Sequence, residues 1–170
     1  LGFISVASEV SALAEKADKI IIVGHSMGGL IALRLAAQYA GTVDSLVLAA
    51  PALRLASLLA PGRPFHFAAA PLARVIKRWD IKPVFTGPDY LGSVAQYAWV
   101  PTDAILSLFE LIGATLPLLG SVTVPVILLQ NRRETTVRSE SVAMLFNRIG
   151  TSHAERSVIW LERSEHQIFC

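Results

Sequence analysis

The stretch IIIVGHSMGGLIAL, residues 20–33, constrains this chain more than any other part of it. Ile20, Ile21, Ile22 and Val23 form a continuous β-branched run, the pattern of a strand buried on both faces of a parallel sheet. Over residues 26–39 the apolar positions Leu30, Leu33, Ala36 and Ala37 recur at helical spacing, and Gly41 is a plausible stop. Between the two lies Gly24-His25-Ser26-Met27-Gly28, a Gly-x-Ser-x-Gly pentapeptide in the strand–turn–helix context that gives this motif its meaning. Such a turn holds its serine on strained backbone. Gly24 and Gly28, two residues to either side, are expected to be places where a side chain would clash with neighbouring backbone. Gly29 is expected to let the new helix pack close to the sheet. The helix N-terminus brings positive partial charge to Ser26, and the Met27 amide is placed to donate to a developing oxyanion.

The rest of the chain shows where this unit sits. Residues 6–17 have helical spacing through Val6, Val10, Leu13 and Ala17. Residues 45–50 (SLVLAA) read as a second short buried strand, ended by Pro51. Residues 124–130 (VPVILLQ) and 156–161 (RSVIWL) read as a third and a fourth, separated by an amphipathic helix over 139–149 with Val142, Leu145, Phe146 and Ile149 on one side. Helix and strand in alternation imply an α/β domain with a mostly parallel sheet and helices on both faces. The alternation lapses over about residues 52–121, where prolines recur and short helical patterns appear at 70–79 and 102–113. An irregular helical insertion in such a sheet reads as a cap over a site. One domain is expected over residues 1–170, with that insertion inside it.

Composition removes several classes of function. Hydrophobic residues make up 53% of the 170 and charged residues 16%, which favours a buried core over disorder. A net charge of +2, with Lys and Arg scattered, gives no footprint for nucleic acid. Cys170 is the single cysteine, so an internal disulfide and a thiolate zinc cluster are excluded; no metal or organic cofactor is expected, and a cytoplasmic location fits. The most apolar window, 104–130, is interrupted by Glu110, Pro117 and Pro125, which suits protein core better than a membrane span.

A serine hydroxyl is a weak nucleophile that needs a base, usually His, and an acid to orient it. With this motif the order along the chain is Ser, Asp or Glu, then His. His166 follows the strand 156–161 by a short turn and so lies at the C-terminal edge of the sheet, where open α/β sheets hold their sites. His153 precedes that strand and lies at the opposite edge. His66 sits between Phe65 and Phe67 in the insertion and reads as a packing residue. His25 also reads as packing, its side chain directed away from that of Ser26. His166 is therefore the expected base. In the loop after the strand 124–130, Glu134 is the first carboxylate and the expected acid; a surface ion pair with Arg132 or Arg133 is the alternative. Glu162 and Glu165 are expected to face solvent.

Taken together, GHSMGG, QNRRETTV and WLERSEHQI resemble the α/β-hydrolase superfamily, in particular bacterial carboxylesterases and monoacylglycerol lipase-like enzymes. The resemblance covers nearly the whole chain and is weakest in the insertion. In that group the acid loop runs Gln-Gly-x-x-Asp-x-x-Val and the base lies in Ser-Gly-His. Here Asn131 stands for the Gly, Glu134 for the Asp and Glu165 for the Gly before His. The extra methylene of Glu134 requires its loop to retreat slightly. The resemblance implies an ester hydrolase acting through Ser26, His166 and Glu134 on a small-molecule ester, with no cofactor. Phe65, Phe67, Trp79, Phe85, Trp99 and Phe109 of the insertion suit an apolar acyl chain. Thioesterase, C–C hydrolase and peptidase chemistry, or a ligand-binding role without turnover, are alternatives on the same fold. Relatives have further strands before the elbow and a His-Gly loop that gives a second oxyanion donor. This chain starts at Leu1 in a helical pattern and stops four residues after His166. It therefore reads as a fragment, expected to show an unpaired edge and apolar faces, to fold poorly alone or to have weak activity.

Overall fold

The first strand of the sheet is placed by its neighbour in sequence and by its neighbour in space. In a computed structural model that describes residues 2–80, 99–162 and 166, Ile20 exchanges backbone hydrogen bonds with the Asp44 residue, whose amide and carboxylate both take part. From there β1 (Ile21–His25) and β2 (Ser45–Ala49) run parallel in the register Ile21 to Ser45 and His25 to Ala49. The connection between them is α2 (Met27–Gln38), the expected βαβ crossover. β5 (Val126–Asn131) and β6 (Arg156–Leu161) extend the sheet in the order β1-β2-β5-β6, all parallel. The helix α5 (Glu140–Phe146) joins the last two and ends three residues earlier than the periodicity suggests, at Asn147.

Alternation along the strands shows which face is covered. Leu46, Leu48, Val126 and Leu128 are buried beneath Leu30, Leu33 and Leu145, with Ala7 and Val10 of α1 (Gly2–Ala14) in the same core. The residues between them point the other way. Ile21, Val23, Ile127 and Ile159 are 43–60% exposed. The run 20–23 is therefore not buried on both faces as its composition suggests. Among the described residues the helical layer covers one side of the sheet, while β1 and β6 form its edges. The second helical layer expected from the sequence does not appear among those residues.

The segment after β2 starts with a left-handed residue, Ala50 (φ 41°), immediately before Pro51. Leu55 then forms an isolated antiparallel bridge with Val137. Beyond it lie a 3₁₀ turn at His66–Ala68 and the helix α3 (Ala69–Val75). The helical pattern over 70–79 stops short of its end, because Arg78–Asp80 is a strand, β3, paired antiparallel with β4 (Trp99–Pro101). Nothing in the periodicity signals this pair. The helix α4 (Thr102–Thr115) runs into a 3₁₀ turn, Leu116–Ser121, and this stretch of mean hydropathy 1.7 is long and apolar enough to cross a membrane. Its Phe109, Ile112 and Leu119 side chains are packed into the protein core.

Candidate active site

The elbow owes its shape to two backbone ties and one glycine. Ser26 has φ 53° and ψ −115°, outside the comfortable regions for a side chain. Its amide donates to the Ala49 carbonyl (2.9 Å), and its carbonyl accepts from the Ala52 amide (3.1 Å). The end of β2 thus clamps the serine from both sides. A Cβ at Gly24 would lie 2.6 Å from the Gly28 carbonyl oxygen, a backbone clash with no room to relax. The expectation for Gly28 is not met, since a Cβ there meets nothing within 4 Å among the described residues. The close approach belongs instead to Gly29, whose Cβ would lie 2.9 Å from that of Pro51. That glycine brings the helix close both to the post-β2 loop and to the end of β1, since a Cβ at Gly24 would lie 2.9 Å from the Gly29 Cα.

Ser26 occupies the N-cap of α2 but does not cap it with its side chain. A capping serine contributes about 1 kcal/mol to a helix. Here the hydroxyl is directed to His166, with Oγ 3.0 Å from Nε2. The opposite ring nitrogen, Nδ1, lies 2.9 Å from Glu134 Oε2. The Glu134 side chain is 1% exposed, and its other oxygen, Oε1, accepts the amides of Thr136 (2.7 Å) and Val137 (3.1 Å). Burial pushes the Glu134 carboxyl up; the hydrogen bonds from His166 and the two amides outweigh this and hold it below its ordinary value. Neither Arg132 nor Arg133 takes Glu134 as an ion-pair partner in place of His166. Arg132 pairs with Glu162 across the surface at 2.8 Å. Asn131 opens the acid loop by accepting the Arg133 amide on its side chain (2.9 Å), an Asx turn standing where the resemblance has glycine.

The sequence reading missed one residue of this constellation. His25 sits with its ring centroid 4.9 Å from that of His166, and its Nε2 donates to the His166 carbonyl at 2.7 Å. Burial holds its imidazole below the ordinary value. His66 and His153 lie elsewhere. The first contacts the Leu59 carbonyl and the Phe109 ring, and the second lies beside Arg156 at the other edge of the sheet. Met27 is the first residue of α2, so its amide has no acceptor within the helix. Among the described residues no group of three or more His, Cys, Asp or Glu side chains could hold a metal ion.

An open cavity of about 370 Å³ lies within the insertion, and among the described residues neither Ser26, Glu134 nor His166 lines it. Its walls include Leu55, Leu72, Ile76, Trp79, Ile105 and Phe109. Leu55 is the residue bridged to Val137, and the next amide, Ala56, donates to the Thr136 carbonyl at 2.9 Å. One wall residue of the cavity is therefore tied by backbone hydrogen bonding to the segment that holds Glu134. Of the aromatic residues expected around an acyl chain, Trp79 and Phe109 line the cavity; Phe65, Phe67 and Trp99 do not, and Phe85 lies outside the described residues.

The family model described as serine aminopeptidase, S33, matches residues 4–170. The chain belongs to this family. No curated protein matches the S33 chain significantly in sequence. Solved structures do. One of the metagenome-derived lipolytic enzymes LipS and LipT superposes with a TM-score of 0.79 at 23% identity, over 96% of this chain and 63% of that one. Monoacylglycerol lipase from Paleococcus ferrophilus gives 0.72 at 18%, over 98% and 68%. A soluble variant of monoglyceride lipase from Saccharomyces cerevisiae, in complex with a substrate analog, gives 0.67 at 20%, over 98% and 60%. This chain thus spans about two-thirds or less of these relatives, and the likeness is one of fold: α/β-hydrolase, with a mostly parallel sheet.

Proposed function

We propose that this S33-family chain is a serine hydrolase of carboxylic esters, of the carboxylesterase or monoacylglycerol lipase-like kind. The observation that carries the proposal is the unbroken hydrogen-bond chain from Ser26 Oγ through both nitrogens of His166 to a buried Glu134. His166 Nε2 takes the Ser26 proton as Oγ attacks the ester carbonyl carbon. The carbonyl electron pair moves onto its oxygen, which faces the Met27 amide and the N-terminus of α2. Collapse expels the alcohol, which receives the proton from His166, and leaves an acyl-Ser26 ester. Water, deprotonated by His166, attacks that ester and releases the acid. Glu134 keeps Nδ1 protonated, so that Nε2 is the acceptor when Ser26 needs one.

The cavity supports an apolar acyl group as the part of the substrate recognised. The insertion over about residues 52–121 supplies all of its described walls and acts as the cap. A peptidase reading has one point in its favour, the description of the family. An aminopeptidase must recognise a substrate ammonium, and among the described residues the cavity walls carry no carboxylate to do so. A fluorophosphonate probe, located by mass spectrometry, tests the triad. Labelling at Ser26 that disappears in Ser26→Ala and in His166→Ala is expected. A folded chain that remains unlabelled, or a His166→Ala variant labelled at the wild-type rate, would end the proposal. Hydrolysis of p-nitrophenyl esters in preference to aminoacyl anilides separates the two substrate classes.

A further inference from the structure

The two ring contacts of His166 do not fix its position. Nδ1 and Nε2 lie at opposite ends of the imidazole, so bonds to Glu134 and Ser26 define an axis and leave the residue able to turn about it. A rigid body is held only when a point off that axis is also tied. The His166 carbonyl is such a point, and the His25 Nε2–H group holds it at 2.7 Å. The two rings meet at 4.9 Å with a tilt of 44°, so packing and hydrogen bonding act on the same residue. His25 is also the residue before the nucleophile, at the last position of β1. One dipeptide, His25-Ser26, therefore sets both the hydroxyl and the main chain of its proton acceptor, and does so independently of the acid loop.

We infer that His25 is a positioning residue for the base: it acts through the His166 backbone and couples the strand end that carries Ser26 to the loop that carries His166. The inference rests on the triad reading above for its effect on reactivity, though the hydrogen bond itself does not. It requires the tautomer with hydrogen on Nε2, because a carbonyl oxygen can only accept. A neutral imidazole meets that requirement, and burial keeps His25 neutral over more of the pH range.

Two substitutions separate tethering from packing. His25→Gln keeps an N–H donor at similar reach and loses the ring. His25→Phe keeps the ring and loses the donor. The rate of fluorophosphonate labelling at Ser26 is measured on the full 170-residue chain, beside the melting temperature of each variant. Tethering predicts that His25→Phe labels about 10-fold more slowly while still folded, with a melting temperature lowered by no more than a few degrees, and that His25→Gln stays within about 3-fold of wild type. Packing alone predicts the reverse order, and that order, or equal rates for the two, would overturn the inference. Nitrogen-15 shifts of the histidine rings give a test that needs no reactivity. A neutral His25 protonated on Nδ1 overturns the inference even if nothing is labelled, and protonation on Nε2 is the expected result. Absence of labelling in wild type, or labelling unaffected by His166→Ala, tells instead against the triad.

Discussion

Replacing Glu134 by glutamine is the most informative single change to this site, because the surroundings decide how the amide must sit. Oε1 accepts from two backbone amides, Thr136 at 2.7 Å and Val137 at 3.1 Å. A glutamine carbonyl can continue to accept both. The opposite orientation would set its NH₂ against two N–H donors and leave both buried amides unpaired, at about 1–3 kcal/mol each. The carbonyl is therefore held in place and the NH₂ is turned toward His166 Nδ1. Donor now faces donor unless the imidazole changes tautomer, with Nδ1 accepting and the hydrogen moved to Nε2. In that state Nε2 points a hydrogen at Ser26 Oγ and can no longer take its proton. The fold loses little, since size and amide contacts are kept, but the base is switched off. The comparable exchange in other serine triads costs about 10⁴ in kcat, or roughly 5.4 kcal/mol of transition-state stabilisation. The rate of Ser26 labelling by a fluorophosphonate should fall by about 10³–10⁴ in Glu134→Gln, with a melting temperature close to that of wild type. A loss below about 10-fold in a folded variant would refute the reasoning, because it would mean that the tautomer of His166 is not set by Glu134.

Three further outcomes follow from the geometry. Gly24→Ala drives a Cβ to 2.6 Å from the Gly28 oxygen and should cost about 1–3 kcal/mol or more, whereas Gly28→Ala, in open space in the first turn of α2, should leave the chain as stable as wild type or up to about 1 kcal/mol more stable; denaturant melts that rank the pair the other way would contradict the clash. Stability should fall in acid in two stages: His25 sits below its ordinary 6.5, so the unfolded chain binds that proton more readily and the fold weakens as pH drops below about 6.5, and Glu134 sits below its ordinary 4.5, so its contribution, complete above that value, is lost as pH falls through its lower folded value. A pH series of thermal melts checks the signs, with His25→Gln expected to flatten the upper stage. Gln130 is fully buried, and among the described residues neither atom of its amide has a hydrogen-bond partner, so Gln130→Leu should be neutral or raise the melting temperature by a few degrees, about 1 kcal/mol; a marked drop in a calorimetric scan would show that the amide is satisfied by a buried water.

The parts of this protein legible in its sequence are those encoded by neighbours along the chain. The run 20–23 and the glycine after it announce a strand and a sharp turn, and β1, Ser26 and α2 follow in that order. His166 could be placed because its distance from the end of a strand fixes its edge of the sheet. Other features depend on what lies opposite. Ile21 and Val23 are as apolar as Leu46 and Leu48, yet they differ in burial by more than half of their surface, because hydropathy records the residue and not its cover. β3 and β4 are three residues each and pair across a long gap in sequence, too short to show a period of two. Gly28 looks as necessary as Gly24 in the motif, and only the path of the following turn shows that one clashes and the other does not.

His25 shows the same limit within the site itself. From the sequence its side chain is expected to diverge from that of Ser26, yet both side chains meet His166, the ring of one at 4.9 Å from the imidazole and the hydroxyl of the other at 3.0 Å. What could not be read is that His166 itself lies against His25. The separation of 141 residues between the two partners leaves no local pattern to find. The sheet order puts β6 at the far edge from β1, so His166 meets the elbow at a distance of three strands from the strand that precedes it, and its carbonyl is held there by the last residue of β1. A residue with a donor at the tip of a rigid side chain meets that need better than an aliphatic one. The identity of the residue before the nucleophile is in this sense a consequence of strand order, and not only of the turn.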